Sequence, residues 1–216
     1  MSEKLSALVL GASGLVGQAL VNQLCQLEQY SQVTCLVRSP LRNSHYHDPL
    51  NKLQVIVIDF EYLQDYQGYF SVDHVYCCLG TTLKQAGTRQ NFRRVDFEYV
   101  HVAAQLTRAQ RCKGFVWISS VGANAKSKNF YLRVKGELEN AILSMPQLAH
   151  AAAVRPSLLL GDRKQSRKRE RIAGHILKYL SPLLLGNLAK YRPVSAHQVA
   201  HQMISLQAQS PSVVLE

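Results

Sequence analysis

The sequence lacks an uninterrupted apolar run long enough to cross a membrane. Its longest apolar tract, residues 172–188, is broken by a lysine, a proline and two glycines, whereas a spanning helix needs about 20 consecutive apolar residues. Residues 1–4 run directly into a short apolar strand and a glycine turn, so we expect no secretory leader. The pattern therefore predicts a protein without a membrane span.

Paired cysteine motifs are also missing. The five cysteines are odd in number, show no CxxC spacing and mostly fall in apolar runs; they are Cys25, Cys35, Cys77, Cys78 and Cys112. Reduced, buried cysteine behaves as a small hydrophobic side chain. We therefore expect free thiols and a reducing, cytoplasmic location.

At 216 residues, a chain can bury about 70% of the surface that it exposes when unfolded, so it needs neither a metal nor a disulfide to stabilise its core.

Acidic residues are scarce, with 14 against 25 basic residues and a net charge of +11. This excess favours anionic partners, namely a nucleotide, a nucleic acid or an acidic membrane surface. Six basic residues crowd into one segment, Arg163, Lys164, Arg167, Lys168, Arg169 and Arg171. No nucleic-acid reading motif or stacking platform accompanies them, so we favour a solvated helix over the cleft and leave protein docking open.

Apolar, β-branched runs alternate with helical patterns along the chain. We predict strands at 6–10, 33–37, 53–58, 72–79, 114–119 and 151–155, and helices at 15–27, 88–112, 128–145 and 196–208, the last capped by Ser195. Near-continuous apolar strands are typical of a parallel sheet covered on both faces. The fold class is α/β, a Rossmann-type doubly wound sheet in one domain, 1–216, with a core at 1–155 and a small C-terminal cap at 156–216.

A glycine turn joins the first predicted strand to the first helix. Its sequence is GASGLVG at residues 11–17. Gly11 permits a tight turn, Gly14 lets a phosphate approach, and Gly17 lets the helix pack closely on the strand. Backbone N–H groups at such a helix start bind a pyrophosphate. We therefore predict a dinucleotide-binding site.

The second predicted strand lacks an acid at its end. Arg38 follows Gly17 by 21 positions, near the place where an NAD-specific fold carries an acid for the ribose 2′-hydroxyl. A guanidinium can instead pair bidentately with a 2′-phosphate. Arg38 thus favours NADP over NAD, with an ordinary surface role as the alternative.

Residues 45–48, His-Tyr-His-Asp, offer two imidazoles and one carboxylate. Without a further spaced ligand these make a poor zinc site. We interpret the segment as an exposed polar loop and predict no metal.

A YxxxK pattern places Tyr131 and Lys135 at i and i+4 on one helix face. A lysine ammonium beside a phenol favours its ionised form and makes it useful in proton transfer. Ser120 follows the fifth strand and could bind a substrate carbonyl or hydroxyl. The three form a candidate catalytic group.

These motifs together resemble the short-chain dehydrogenase/reductases, and more closely their atypical branch of Tat-interacting-protein-like (HTATIP2-like) oxidoreductases. The resemblance spans nearly the whole chain: GASGLVG at 11–17, CCLGTT at 77–82, RVDFEYV at 94–100, ISSVGA at 118–123, YLRVKGELE at 131–139 and RPSLLLGDR at 155–163.

The resemblance implies a bound nicotinamide cofactor, NADP(H). Its contacts would be Gly11, Ser13, Gly14, Leu15, Val16, Arg38, Asp59, Leu79, Gly80, Thr81, Tyr131, Lys135, Pro156, Ser157 and Leu158. Ser120, Tyr131 and Lys135 would be the catalytic residues, with Lys135 also holding the ribose hydroxyls. A small carbonyl or alcohol would be the substrate.

Two features depart from the wider superfamily. Asp96 stands where many relatives carry a helix asparagine, and Tyr131 follows Ser120 by only eleven positions. Members of this branch resemble cofactor binders in which the nucleotide serves a partner-binding role. A non-catalytic NADP sensor or protein-interaction module therefore stands beside hydride transfer as the second hypothesis.

Overall fold

A seven-stranded parallel sheet forms the centre of the protein. The computed structural model describes residues 4–40, 46–157, 159–160, 193–207 and 213–215. The strands are β1 (Leu5–Leu10), β2 (Tyr30–Val37), β3 (Leu53–Val57), β4 (His74–Cys77), β5 (Gly114–Ile118), β6 (Ala151–Val154) and, after the short pair β7 (Leu159–Leu160) and β8 (Val194–Ser195), β9 (Val213–Leu215). Their order across the sheet is β3-β2-β1-β4-β5-β6-β9.

Helices cover both faces of this sheet. They are α1 (Leu15–Gln26), α2 (Leu83–Ala86), α3 (Arg89–Arg93), α4 (Tyr99–Ala109), α5 (Phe130–Leu143) and α6 (Ala196–Gln207), with a 3₁₀ segment at Phe60–Phe70 and a π-helical turn at Arg94–Glu98. Helices α1 and α6 pack on one face, and α4, α5 and the 3₁₀ segment pack on the other. The predicted doubly wound α/β fold is confirmed.

Strand β1 shows why the sheet must be covered twice. Ala7 and Val9 belong to the core under α1 and α6, whereas Leu8 and Leu10 belong to the core under α4 and α5. All four side chains are fully buried. Because successive side chains of a strand point to opposite faces, an apolar run of this kind requires helices on both sides.

Several element boundaries differ from the sequence prediction. The helix predicted over 88–112 is interrupted by the π turn between α3 and α4, and the 3₁₀ segment was not predicted. Strand β3 lies at the sheet edge, where Val57 is 51% exposed. The hydroxyl of Ser195 accepts a hydrogen bond from the Gln198 N–H at 3.2 Å, so the predicted cap of α6 is confirmed.

The strand order places a crevice at the carboxyl ends of β1 and β4. The chain leaves β1 toward β2 on one side and returns through β4 on the other. In open α/β sheets this reversal of direction is where ligands bind.

None of the described helices is long and apolar enough to cross a membrane. All five cysteines are described, and all are free thiols, as predicted.

Candidate functional site

The glycine turn at the end of β1 forms an open helix N-terminus. Gly11 has φ +80°, and a Cβ there would lie 2.6 Å from the carbonyl carbon of Cys78. Gly14 precedes α1, and no described side chain caps the helix or places a carboxylate in its first turn. The first N–H groups of a helix have no partner within it. The turn therefore leaves amides and a positive dipole end available to an anion such as a diphosphate.

Tyr46 holds this turn from behind. Its hydroxyl donates a hydrogen bond to the Ala12 carbonyl at 2.9 Å. Burial raises the pKa of Tyr46 to about 12, so the hydroxyl keeps its proton. On the other side of the turn, the Gln18 amide donates to the Ser13 carbonyl at 3.0 Å. The carbonyls are thus engaged by the protein while the amides at the helix start are left for a ligand.

The loop around Tyr46 is not the purely exposed segment expected from the sequence. Tyr46 is half-buried, and the carboxylate of Asp48 accepts hydrogen bonds from the Lys52 and Leu53 N–H groups at 3.0 and 2.8 Å. His45 lies outside the described residues. In the described part of the chain, no cluster of three or more histidines, cysteines or carboxylates could hold a metal.

Arg38 and Asp59 follow neighbouring strands at the same edge. Arg38 is exposed directly after β2, and Asp59 is exposed two positions after β3. The paired register of Val37 and Val57 places the two strand ends side by side. Asp59 also begins the 3₁₀ segment by accepting a hydrogen bond from the Glu61 N–H at 3.0 Å. Arg38 therefore follows the strand that neighbours β1 and its glycine turn, and Asp59 follows the next strand outward.

The loop after β4 is tied to the π turn. The Thr81 N–H donates to Oδ2 of Asp96 at 2.8 Å, and Asp96 is only 1% exposed. Leu79 and Thr81 are half-buried, and Gly80 is exposed. This hydrogen bond fixes the Leu79–Thr81 segment beside α5, since a Cβ at Gly80 would lie 3.9 Å from Nζ of Lys135. The role of Asp96 as an anchor was not predicted.

Lys135 is buried beside the same carboxylate. Its Nζ lies 2.8 Å from Oδ1 of Asp96 and 3.5 Å from the Ile118 carbonyl at the end of β5. Burial acts to lower the pKa of Lys135, but the nearby Asp96 and Tyr131 outweigh it, so the pKa is raised above its ordinary value. Lys135 therefore carries its charge at neutral pH.

Tyr131 lies one turn before Lys135 on α5. Its ring is half-buried and packs against Phe92, with centroids 5.6 Å apart. Asn129 begins the helix, accepting a hydrogen bond from the Leu132 N–H at 3.3 Å. Gly136 lets α5 approach the backbone of residues 124–125, where a Cβ would collide. This close approach sets the position of the YxxxK face after the short connection from β5.

Two serines follow β5. Ser120 is half-buried, and its hydroxyl donates to the Val121 carbonyl at 3.3 Å. Ser119 is buried, its N–H donates to the Val154 carbonyl at 2.7 Å, and its hydroxyl oxygen has no hydrogen-bond partner among the described residues. The Val121 N–H donates to the carbonyl of buried Pro156 at 3.2 Å. The loops after β5 and β6 therefore join at this edge.

The structure thus brings the predicted residues to one edge of the sheet. The predicted residues that follow carboxyl strand ends are Gly11, Ser13, Gly14, Leu15, Val16, Arg38, Asp59, Leu79, Gly80, Thr81, Ser120, Pro156 and Ser157. Tyr131 and Lys135 lie on α5, and Nζ of Lys135 reaches the Ile118 carbonyl at the end of β5. Leu158 and the basic segment 163–171 lie outside the described residues.

Comparison with known proteins agrees with this geometry. Residues 11–160 match the NAD(P)H-binding family model. The chain is 38% identical over 169 residues to Protein HTATIP2 of Rattus norvegicus, covering 78% of this chain and 68% of that protein. The chain belongs to the atypical, HTATIP2-like short-chain dehydrogenase/reductases, an NAD(P)H-binding family.

A second relative matches almost end to end. Protein FMP52-1, mitochondrial, of Scheffersomyces stipitis is 32% identical over 215 residues, which cover 95% of this chain and 89% of that protein. Among solved structures, a UDP-N-acetylglucosamine 4-epimerase from Methanobrevibacter ruminantium M1 superposes with a TM-score of 0.75 at 15% identity, covering 99% of this chain and 76% of that chain. This likeness concerns the fold alone.

Proposed function

We propose that this HTATIP2-like protein is an NADP-dependent oxidoreductase that acts on a small carbonyl or alcohol. One observation carries the proposal: Tyr131 stands one helical turn from buried, charged Lys135, at the edge where the glycine turn leaves its amides open. Bound there, the nicotinamide would supply or accept the hydride. The protein would supply the proton and hold the substrate oxygen.

The catalytic roles follow from the chemistry of each group. Ser120 orients the substrate oxygen by hydrogen bonding. Tyr131 donates a proton to that oxygen during reduction and accepts one during oxidation. Lys135 binds the ribose hydroxyls and holds its charge near the phenol. Each group lies on a strand end or a packed helix, and such placement favours a precise geometry.

The remaining predicted residues would hold the rest of the cofactor. Gly11, Ser13, Gly14, Leu15 and Val16 would surround the diphosphate, Arg38 and Asp59 the adenosine half, and Leu79, Gly80, Thr81, Pro156, Ser157 and Leu158 the nicotinamide half. We also propose one domain over 1–216, with a core at 1–155 and a cap at 156–216.

Replacing the proposed proton donor tests the activity. Tyr131→Phe should lower kcat at least about 100-fold, because a positioned general acid contributes at that order. The affinity for NADPH, measured by fluorescence titration, should stay within about threefold, since a phenyl ring preserves the packing on Phe92. Tyr62→Phe is the matched control, because Tyr62 is 63% exposed on the 3₁₀ segment. The proposal would be contradicted if wild type and Tyr131→Phe both bound NADPH and were equally inactive toward a panel of carbonyl compounds.

The preference for NADP depends on Arg38. Arg38→Ala should weaken NADP binding about tenfold or more, since a charge-assisted bidentate contact is lost, and should leave NAD binding nearly unchanged. Lys4→Ala makes the same charge change at exposed Lys4, which precedes β1 at the opposite edge of the sheet. Equal losses for both cofactors in a calorimetric titration would refute this role.

A non-catalytic NADP sensor is the second candidate function. The buried pair of Lys135 and Asp96 favours it, because the ammonium is already engaged by protein. In this version NADPH orders the protein for a partner that docks on the basic segment 163–171. Pull-downs that recover the same partners with and without NADPH would count against it.

The cytoplasm is the proposed location, because five free thiols suit a reducing compartment. The yeast relative is named mitochondrial. Fractionation of cells expressing the untagged chain decides between the two compartments.

A further inference from the structure

Two arginines contact the aromatic ring that begins α5. The guanidinium carbon of Arg89, on α3, lies 5.3 Å from the centre of the Phe130 ring, and that of Arg133 lies 5.6 Å from it. Phe92 of α3 joins this ring to Tyr131, because its own ring centre is 5.8 Å from that of Phe130 and 5.6 Å from that of Tyr131. The two guanidinium groups therefore lie on the same packed group of rings as Tyr131.

Positive charge exceeds negative charge around the Phe130 ring. Arg93 of α3 pairs with Glu137 of α5 at 2.5 Å, and Nε of Arg133 lies 3.9 Å from the same side chain. Arg89 is exposed, and none of the ion pairs between described residues involves it. The three arginines thus have one carboxylate partner in the described part of the chain. Like charges held close together repel one another, and a bound anion relieves that repulsion.

Arg89 keeps the hydrogen-bond donors that an anion needs. Stacking on a ring uses the flat face of a guanidinium and leaves the N–H groups at its edge available. Arg93 donates to Glu137, and Arg133 donates to the Ser127 carbonyl at 3.1 Å, whereas no described residue accepts a hydrogen bond from the Arg89 side chain. A carboxylate or phosphate accepts two parallel bonds from such an edge. Arg89 is therefore the arginine best placed to bind an anion.

The location of Arg89 separates this anion from the cofactor. The proposed contacts of the cofactor phosphates are the glycine turn after β1 and Arg38 after β2, whereas α3 follows β4 and packs on α5 through Phe92. An anion on Arg89 lies next to the residue that precedes Tyr131 in α5. The molecule that carries it is therefore the substrate rather than the nucleotide.

We propose that Arg89 is a specificity-determining residue that binds a carboxylate or phosphate group of the substrate, with Arg133 adding positive charge beside it. The preferred substrates are then carbonyl compounds that carry such an anionic group. This inference rests on the proposed function, because the anionic group is read on the molecule that reacts at Tyr131.

The first test compares three aromatic aldehydes with NADPH as the reductant. Two are anionic, para-carboxybenzaldehyde and para-formylphenyl phosphate, and the third is the uncharged methyl para-formylbenzoate. The readout is the ratio of kcat/KM for each anionic aldehyde to kcat/KM for the ester. Arg89→Gln should lower this ratio about tenfold or more, mainly through KM, because a charge-assisted contact is lost. The aldehyde with the larger loss identifies whether the site reads a carboxylate or a phosphate.

Arg111→Gln is the matched control. It makes the same charge change in the turn between α4 and β5, at the amino end of the sheet, and Arg111 is also exposed. Its ratios should stay within about twofold of wild type, because distant exposed charges are screened by salt.

The second test measures binding without turnover. Terephthalate and phenyl phosphate carry the same anionic groups and have no aldehyde to reduce. Calorimetric titration of either into the protein with saturating NADPH should show a saturable site, which Arg89→Gln weakens about tenfold or more. Binding that depends on Arg89 without turnover of any aldehyde supports the anion site and rejects the proposed oxidoreductase. If Arg89→Gln changes neither a ratio nor the binding of either analogue, the inference is wrong, and turnover of the aldehydes would still support the proposed function.

Discussion

The two ends of the same parallel sheet are built differently. At the carboxyl end, the polar groups of the loops are left partly open: α1 has no described side-chain cap, and the Ser119 hydroxyl has no described hydrogen-bond partner. At the amino end, a group of polar side chains bond to one another, while Nδ1 of His150 and Oε1 of Gln207 have no hydrogen-bond partner among the described residues. The hydroxyl of Tyr30 contacts Nδ1 of His74 at 2.7 Å and the hydroxyl of Tyr76 at 2.9 Å, and all three side chains are buried.

The amino end is further closed by an aspartate that joins two strands. Oδ2 of Asp73 accepts hydrogen bonds from the N–H and hydroxyl of Ser6 at 2.7 and 2.9 Å. Its Oδ1 pairs with Lys113 at 2.7 Å. A buried polar group contributes to stability when its bonds are satisfied and costs free energy when they are not. These amino-end bonds hold neighbouring strands together, whereas the carboxyl end presents the uncapped start of α1 to a ligand.

Two substitutions in the glycine turn separate its role in folding from its role in ligand binding. Gly11→Ala should destabilise the protein by about 3 kcal/mol, because the φ of +80° and the backbone of Cys78 both oppose a side chain. Urea unfolding measures the loss. Nucleotide affinity should fall with it, since the turn itself is distorted.

Gly14→Ala is the matched change for ligand binding. A Cβ at Gly14 would meet only the Gly11 carbonyl oxygen, at 3.4 Å, and the φ of −78° suits alanine. Stability should change by less than about 1 kcal/mol, while NADPH affinity falls about tenfold because the methyl occupies the approach of the diphosphate. Equal losses of stability in Gly11→Ala and Gly14→Ala would show that the two glycines do not differ in their roles in folding and ligand binding.

The amino end should give the protein an acid sensitivity. Burial lowers the pKa of His74 to about 4, below the ordinary value of about 6.5. The unfolded chain therefore binds a proton at His74 more readily than the folded protein does. The contribution of His74 to the free energy of unfolding is fully present above about pH 6.5 and is lost as the pH falls toward 4. Between pH 7 and pH 5 the free energy of unfolding should drop by about 1.5 kcal/mol through His74.

His74→Gln should remove most of that drop. His47→Gln is the control, because His47 is exposed in the loop before β3. Urea midpoints at pH 7 and pH 5 give the comparison. A pH dependence that survives in His74→Gln would place the acid sensitivity outside the amino end.

Loss of the hydrogen bond that supports the glycine turn should be the mildest of these changes. Tyr46→Phe removes the hydrogen bond to the Ala12 carbonyl and should cost about 1 kcal/mol in urea unfolding. The loss of NADPH affinity should stay below about fivefold, since the amides that face the ligand are unchanged. If Tyr46→Phe lowered NADPH affinity as much as Gly14→Ala does, Tyr46 would have to contribute directly to ligand binding.

Local sequence patterns predicted those parts of the candidate site whose residues lie together on a single element. The glycine turn, with Gly11 and Gly14, belongs to one strand–helix unit, and Tyr131 and Lys135 share one face of α5 through the helical repeat. Arg38 was predicted from its distance along the chain, and its role stays a prediction. The support from Tyr46 and the pairing of Asp96 with Lys135 were missed, because each joins residues far apart in sequence that carry no shared motif.

Strands covered on both faces and alternating with helices were predictable, because apolar spacing and glycine positions act over a few residues. The hydrogen-bond partners of the polar groups were not predictable in the same way, because they come from elements far apart in the chain. The amino-end bonds of Tyr30 and His74 and the buried pair of Asp96 and Lys135 depend on strand order and helix packing. Those long-range placements set the local dielectric and the hydrogen-bond partners, and through them the charge of each group.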